Sequence, residues 1–225
     1  MDFAIQVVAA KRVGDDRAEV FSRPHGHLFV LADGAGGTSG GAAAADAVLA
    51  GARTFFPNSP SDCVNFLRDL DRRLTSVGQT TAVVLLATDS TVFGASVGDS
   101  SAWLVVGAAI TDLTQLQNAK PLLGSGNARA LGFGPLPLVG RMLIGSDGLF
   151  KYVPHDRIAA LANLPLTDAA AALIGAARLR SGALQDDIAV IVAGRRDVPG
   201  DGIGGDSPPS GAAADAGSLA RRGIS

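Results

Sequence analysis

Apolar and polar positions follow two rhythms along this chain. Short apolar runs and alternations, bounded by Gly, Asp, Ser or Pro, predict strands over 3–9, 17–22, 27–32, 80–87, 91–97, 101–106, 141–144 and 188–193. Longer stretches with a helical repeat predict helices over 39–55, 61–76, 155–161 and 168–179. The second helix is the clearest: Ser61 can cap it, and Val64, Leu67, Leu70, Leu74 and Val77 fall on one face. The fourth is Ala-rich, starts at a capping Thr167 and gathers Leu173, Ile174 and Ala177 on one face. Strand pairs, a helix pair, more strands and a second helix pair fit a layered α/β sandwich. Successive hairpins favour antiparallel sheets over a doubly wound parallel one, as where 80–87 turns at Asp89 and Ser90 into 91–97.

The pattern stops near residue 197. Gly, Ala, Ser and Pro fill 19 of the 29 positions in 197–225, and Ile203 and Leu219 are almost the only large apolar side chains there. Such a segment buries too little surface to offset its ordering entropy, so a disordered tail is expected beyond one domain over 1–196. Of the 225 residues, 47% are apolar and 18% charged, which suits a packed core. The formal net charge of -2 argues against a general nucleic-acid binder, which needs a basic face to displace counterions. No apolar run approaches the roughly 18 residues of a membrane span. The opening Met1-Asp2-Phe3 lacks the basic and apolar segments of a signal peptide. A single cysteine, Cys63, makes neither an internal disulfide nor a thiolate zinc site. A cytoplasmic protein without membrane or nucleic-acid partners is the expectation.

The acidic residues are 20 Asp and one Glu, and several Asp stand at strand ends. Leu28–Ala32 runs into Asp33-Gly34-Ala35-Gly36-Gly37, and Met142–Ser146 into Asp147-Gly148. Ala95–Gly98 runs into Asp99-Ser100, Asp186-Asp187 opens the strand at Ile188, and Asp15-Asp16 lies in the first turn. Each alone reads as a turn former. Five beside apolar strands weaken that reading, because carboxylates at one sheet end make a hard-oxygen site suited to Mg2+ or Mn2+.

In this order and strand context the motifs resemble the metal-dependent protein phosphatase family (PPM, the protein phosphatase 2C type) in its compact bacterial form, over about residues 5–195. The resemblance implies an α+β fold, a four-layer α-β-β-α sandwich of two mostly antiparallel sheets flanked by helix pairs. It implies that Asp33 bridges two metal ions, Mn2+ or Mg2+, and that Gly34 offers one of them its carbonyl. Asp147 and Asp186 match carboxylates on the other ion. Asp15 matches the usual Glu near the second ion, and Asp99 matches the Asp that joins Asp147 in holding a third, weaker ion. The implied reaction is hydrolysis of phosphoserine and phosphothreonine monoesters in proteins, by attack of a hydroxide bridging the two metals. Partners would be phosphoproteins, substrates of a Ser/Thr kinase, met by a monomer.

Several positions depart from the family pattern. Lys11, followed by Arg12, stands where an Arg usually holds the substrate phosphate, and Lys lacks the bidentate fork of Arg. Asp15 is one methylene shorter than Glu. Ser101 replaces an Arg that usually braces the sheet, and Asp187 replaces an Asn, adding a carboxylate that either tightens metal binding or faces solvent. The stretch between Asp99 and Asp147 is short, and 115–137 reads as a trimmed flap made mobile by Gly124, Gly126, Gly132 and Gly134. Ala35 stands where some relatives carry a His. His25, His27 and His155 therefore read as surface residues, with leaving-group protonation left to metal-bound water. Cys63 lacks a Cys-x5-Arg loop and reads as a partly buried filler.

Two rivals remain. Gly34–Gly41 is superficially like a phosphate-cradling loop, but Ser39 breaks the Gly-x-Gly-x-x-Gly spacing and no Gly-Lys-Ser/Thr follows. The stronger rival is a phosphatase-like module kept for binding or regulation, with little or no catalysis. Loss of ligands would mark it, and Asp33, Asp147 and Asp186 are all present.

Overall fold

The structure is a computed structural model that describes residues 1–35 and 40–194. The expected tail, the Gly36-Gly37 part of the glycine-rich motif and the expected helix start at Ser39 lie outside these residues.

Two five-stranded antiparallel sheets form the centre. One is built from β1 (Asp2–Val8), β6 (Ser101–Val106), β7 (Ala109–Asp112), β9 (Arg141–Gly145) and β10 (Ile188–Gly194), in the order β1-β10-β9-β6-β7. The other contains β2 (Arg17–Arg23), β3 (Gly26–Ala32), β4 (Ala82–Ala87), β5 (Thr91–Val97) and β8 (Leu131–Pro137), in the order β2-β3-β4-β5-β8. Every residue of β4 and β10 is buried, because each has neighbours on both edges and cover on both faces. That double burial is why both read as unbroken apolar runs rather than alternations.

The apolar residues divide into three layers. Phe29, Leu31, Leu85, Leu104, Met142 and Ile191 fill the space between the sheets. Leu28, Val30 and Val84 turn the other way, toward α1 (Gly41–Arg53) and α2 (Pro60–Leu74). Trp103, Leu143 and Val190 turn toward α3 (Asp147–Phe150), α4 (His155–Ala162) and α5 (Leu166–Ala177). Alternate residues of one strand thus serve different cores, and the α-β-β-α sandwich follows. Truncating a core leucine such as Leu85 would cost about 2–5 kcal/mol.

Several boundaries differ from the sequence expectation. Ser59, not Ser61, caps α2: its hydroxyl accepts the Asp62 N–H at 3.2 Å and Pro60 opens the helix. Helix α5 begins at Leu166 without a side-chain cap, so Thr167 lies inside it. Gly40, at φ 99, precedes α1, and a Cβ there would meet the Val77 carbonyl oxygen at 2.0 Å. Cys63 is fully rather than partly buried.

The expected flap is largely ordered structure. Residues 131–137 form the edge strand β8, whose Pro135 and Pro137 are tolerated because an edge has a free side. Leu123 is fully buried and exchanges two backbone hydrogen bonds with Thr80. Asp71, buried on α2, accepts the backbone N–H groups of Gly124, Gly126 and Ala128 at 2.8, 3.1 and 3.0 Å. The expectation of a mobile segment made by glycines is therefore corrected: a helix carboxylate holds its turn.

Candidate metal centre

Antiparallel pairing decides which side chains meet. In the β2–β3 register Arg17 faces Ala32, so one step further out Asp16 faces Asp33 and Asp15 faces Gly34. The Gly34 N–H donating to the Asp15 carbonyl at 3.3 Å continues the pairing. From the other side, the Asp33 N–H donates to Thr81 Oγ1 at 3.1 Å, and its carbonyl accepts from Thr81 N–H and Thr80 Oγ1, both at 2.8 Å. Asp33 is therefore held between β2 and β4. From the first sheet, β9 runs out at Gly145 into Ser146 and Asp147, and β10 begins just after Asp186-Asp187. Ser146 Oγ accepts the Ala189 N–H at 3.0 Å, which fixes the β9 end against β10.

The buried carboxylate of the first turn is Asp16, at 2% exposure, whereas Asp15 is half-buried. The Asp16 carboxyl is within hydrogen-bonding reach of Ser146 and Asp33, yet its Oδ2 is buried without a partner. Burial, helped by the charges of Asp187 and Asp147, raises Asp16 above the ordinary carboxylate range, with the two hydrogen bonds opposing. Asp33 is raised further, first by burial, then by the charges of Asp16 and Asp147, the hydrogen bond to Asp16 and the charge of Asp99. Asp99, more open to solvent, is raised by desolvation and by Asp147, with Lys151 and Lys120 opposing.

An open cavity of about 580 Å3 lies over this sheet end. Asp15, Asp16, Asp33, Gly34, Asp186, Asp187 and Lys11 all line it, and Arg12 does not. Asp147 approaches the same group from the other sheet, held by an ion pair to Lys151 one helical turn later. Asp187 is half-buried at the cavity wall with both oxygens engaged. Its Oδ1 accepts the Ala10 N–H at 2.8 Å and its Oδ2 the Asp15 N–H at 2.7 Å, so it fastens the turn that carries Lys11. Thr80, Thr81 and Ser146 support the centre and were not singled out in the sequence. His25 and His27 line a different cavity at the far end of the sheets, and His155 packs against Trp103. Burial pushes the Cys63 thiol up to about 12, which removes it as a nucleophile.

Among the described residues no three His, Cys, Asp or Glu side chains stand ready to hold a metal as they are. The carboxylates are engaged instead with one another and with Lys151. Their surroundings nonetheless fit a divalent cation. The donors are all oxygens, one buried oxygen lacks any partner, and two acids are driven toward neutrality by burial and by neighbouring carboxylate charge. Gly34 lets the start of α1 pack directly against this backbone, since a Cβ there would come 2.5 Å from Gly41 C.

No protein-family model and no curated protein matches the chain. Solved structures do. A bacterial serine phosphatase shares 19% identity at a TM-score of 0.75, over 86% of this chain and 97% of that one. Serine/threonine phosphatase Stp1 from Staphylococcus aureus shares 19% identity at 0.72, over 85% and 94%. The catalytic domain of serine/threonine phosphatase PstP, solved in complex with two manganese ions, shares 19% at 0.69, over 85% and 96%. The fold of this chain is the fold of these bacterial phosphatases. Among the described residues, no helix is long and apolar enough to cross a membrane.

Proposed function

We propose that the chain is a metal-dependent phosphoprotein phosphatase of the PPM type, hydrolysing phosphoserine and phosphothreonine monoesters placed by a Ser/Thr kinase. The carrying observation is the meeting of Asp16, Asp33 and Asp147 from two sheets, with one buried Asp16 oxygen left without a partner. Asp33, Asp147 and Asp186, with the Gly34 carbonyl, would hold two ions, and Asp16 joins Asp15 as a candidate beside the second. Mn2+ or Mg2+ bound there supplies acidified water and neutralises phosphate oxygens.

The chain's own residues supply the rest. Lys11 brings a positive charge to the cavity wall, where it meets the phosphate of an entering side chain. Asp187 sets its place by gripping the turn at Ala10 and Asp15. Thr80 and Thr81 fix the Asp33 backbone, and Ser146 donates to Asp16, so these carboxylates are oriented before any ligand arrives. No histidine lines the cavity among the described residues, so the departing alkoxide takes its proton from water.

The test is hydrolysis of a phosphothreonine peptide and of p-nitrophenyl phosphate in Mn2+, Mg2+ or EDTA. Activity should require the metal and fall to background in Asp33→Asn. Full activity in excess chelator would overturn the reading. Want of a ready three-ligand cluster favours the rival binding module, and a folded protein that neither binds Mn2+ nor releases phosphate would establish it.

A further inference from the structure

Lys151 stands one turn after Asp147, at the C-cap of α3. Its ammonium donates to Asp147 Oδ2, the carboxylate whose charge presses on Asp16, Asp33 and Asp99. The same ammonium acts on Asp99 and Asp186. Asp147 is the less exposed partner, at 15% against 51% for Lys151, so the cation reaches inward from solvent to the acid. The resemblance assigns a third, weaker ion to Asp99 and Asp147. In this chain a positive charge, carried on the chain itself, already lies on Asp147 and within electrostatic reach of Asp99.

We propose that Lys151 is a tethered cation in the place of the third ion, so that the chain takes two divalent ions and neutralises Asp99 and Asp147 with its own side chain. The inference rests on the metal-dependent reading above. An ammonium bonded to Asp147 withdraws one oxygen from coordination and repels a divalent ion beside it. It cannot diffuse away, so this share of the charge balance is independent of metal concentration. Lys151 is in this sense a positioning residue: it holds Asp147 through an ion pair.

The experiment counts Mn2+ per chain by equilibrium dialysis, in the full-length protein and in Lys151→Asp, Lys151→Gln, Asp99→Ala and Lys151→Asp combined with Asp99→Ala. Wild type should take two ions, and Asp99→Ala should still take two. Lys151→Asp should take three, and the double variant should return to two. Lys151→Gln should lower the metal-free Tm and enlarge the rise on adding Mn2+, because the uncompensated carboxylates then depend on the ion. Three ions in wild type, with one lost in Asp99→Ala, would overturn the inference while leaving the phosphatase reading intact. Two ions in both wild type and Lys151→Asp would overturn it equally. Fewer than two in every variant would overturn the metal-dependent reading and this inference with it.

Discussion

Asp15 and Asp16 are neighbours with the same side chain and different surroundings. Strand register separates them: Asp16 faces Asp33 across the β2–β3 ladder and is buried, while Asp15 faces Gly34 and is half-buried. Asp16→Asn should therefore weaken Mn2+ binding and turnover by about tenfold or more, and Asp15→Asn by clearly less. Titrating metal against activity for both variants checks the order, and a larger loss in Asp15→Asn would reverse the assignment. The sequence placed both in the same turn, but not which of them points inward. The sum of partner numbers in the hairpin would have identified Asp16, had the Arg17–Ala32 pairing been known. Asp33, Asp147 and Asp186 stand out in the sequence because each lies at one end of an apolar strand. Lys151 was not, because an exposed Lys after a short apolar helix carries no pattern.

At the scale of elements, legibility followed burial. Helix α2 was readable from its apolar stripe, and β4 and β10 from unbroken apolar runs. Strand β8 was not, since Gly132, Gly134, Pro135 and Pro137 read as turn residues and only pairing with β5 makes them a strand. Four-residue β7 and α3 are too short to show a period. The clamp between α2 and the segment before β8 predicts its own failure mode. Asp71→Ala leaves three backbone N–H groups without their acceptor, a loss of roughly 3 kcal/mol. In a domain of this size that lowers Tm on the order of 6–12 °C. Hydrogen exchange should rise first at Gly124, Gly126 and Ala128. Unchanged exchange there would mean the carboxylate is not what holds the turn.

For the whole molecule, two sheets are pressed together with acids crowded at one end. In metal-free protein the raised carboxyls of Asp16 and Asp33 keep protons that the unfolded chain releases above about pH 4. Between that value and their folded pKa the native state binds more protons, so stability falls as pH rises. In EDTA the Tm should be higher at pH 5 than at pH 8. Mn2+ at a hundredfold excess over Kd should add about 2.7 kcal/mol, or on the order of 5–10 °C. Asp33→Asn should melt at or above metal-free wild type and gain little from Mn2+. Differential scanning calorimetry across pH reads all three, and a Tm that rises with pH in EDTA would contradict the burial of these acids.

Asp2 and Gly194 are Cα partners in the β1–β10 ladder, at the end of the sheets away from the carboxylates. Partners in such a ladder lie about 5 Å apart, so once residues 195–225 are removed a few glycines would join them into a ring. The break could then move to Gly107, at φ 57 in the β6–β7 turn, where a Cβ would meet nothing within 4 Å and Asn163 Nδ2 donates to the Gly107 carbonyl at 2.8 Å. Such a circular permutant would begin with β7 and finish with β6 while leaving every residue of the acidic end in place. The acidic end would then be indifferent to where translation starts, and the spatial order of strands would matter where their genetic order does not.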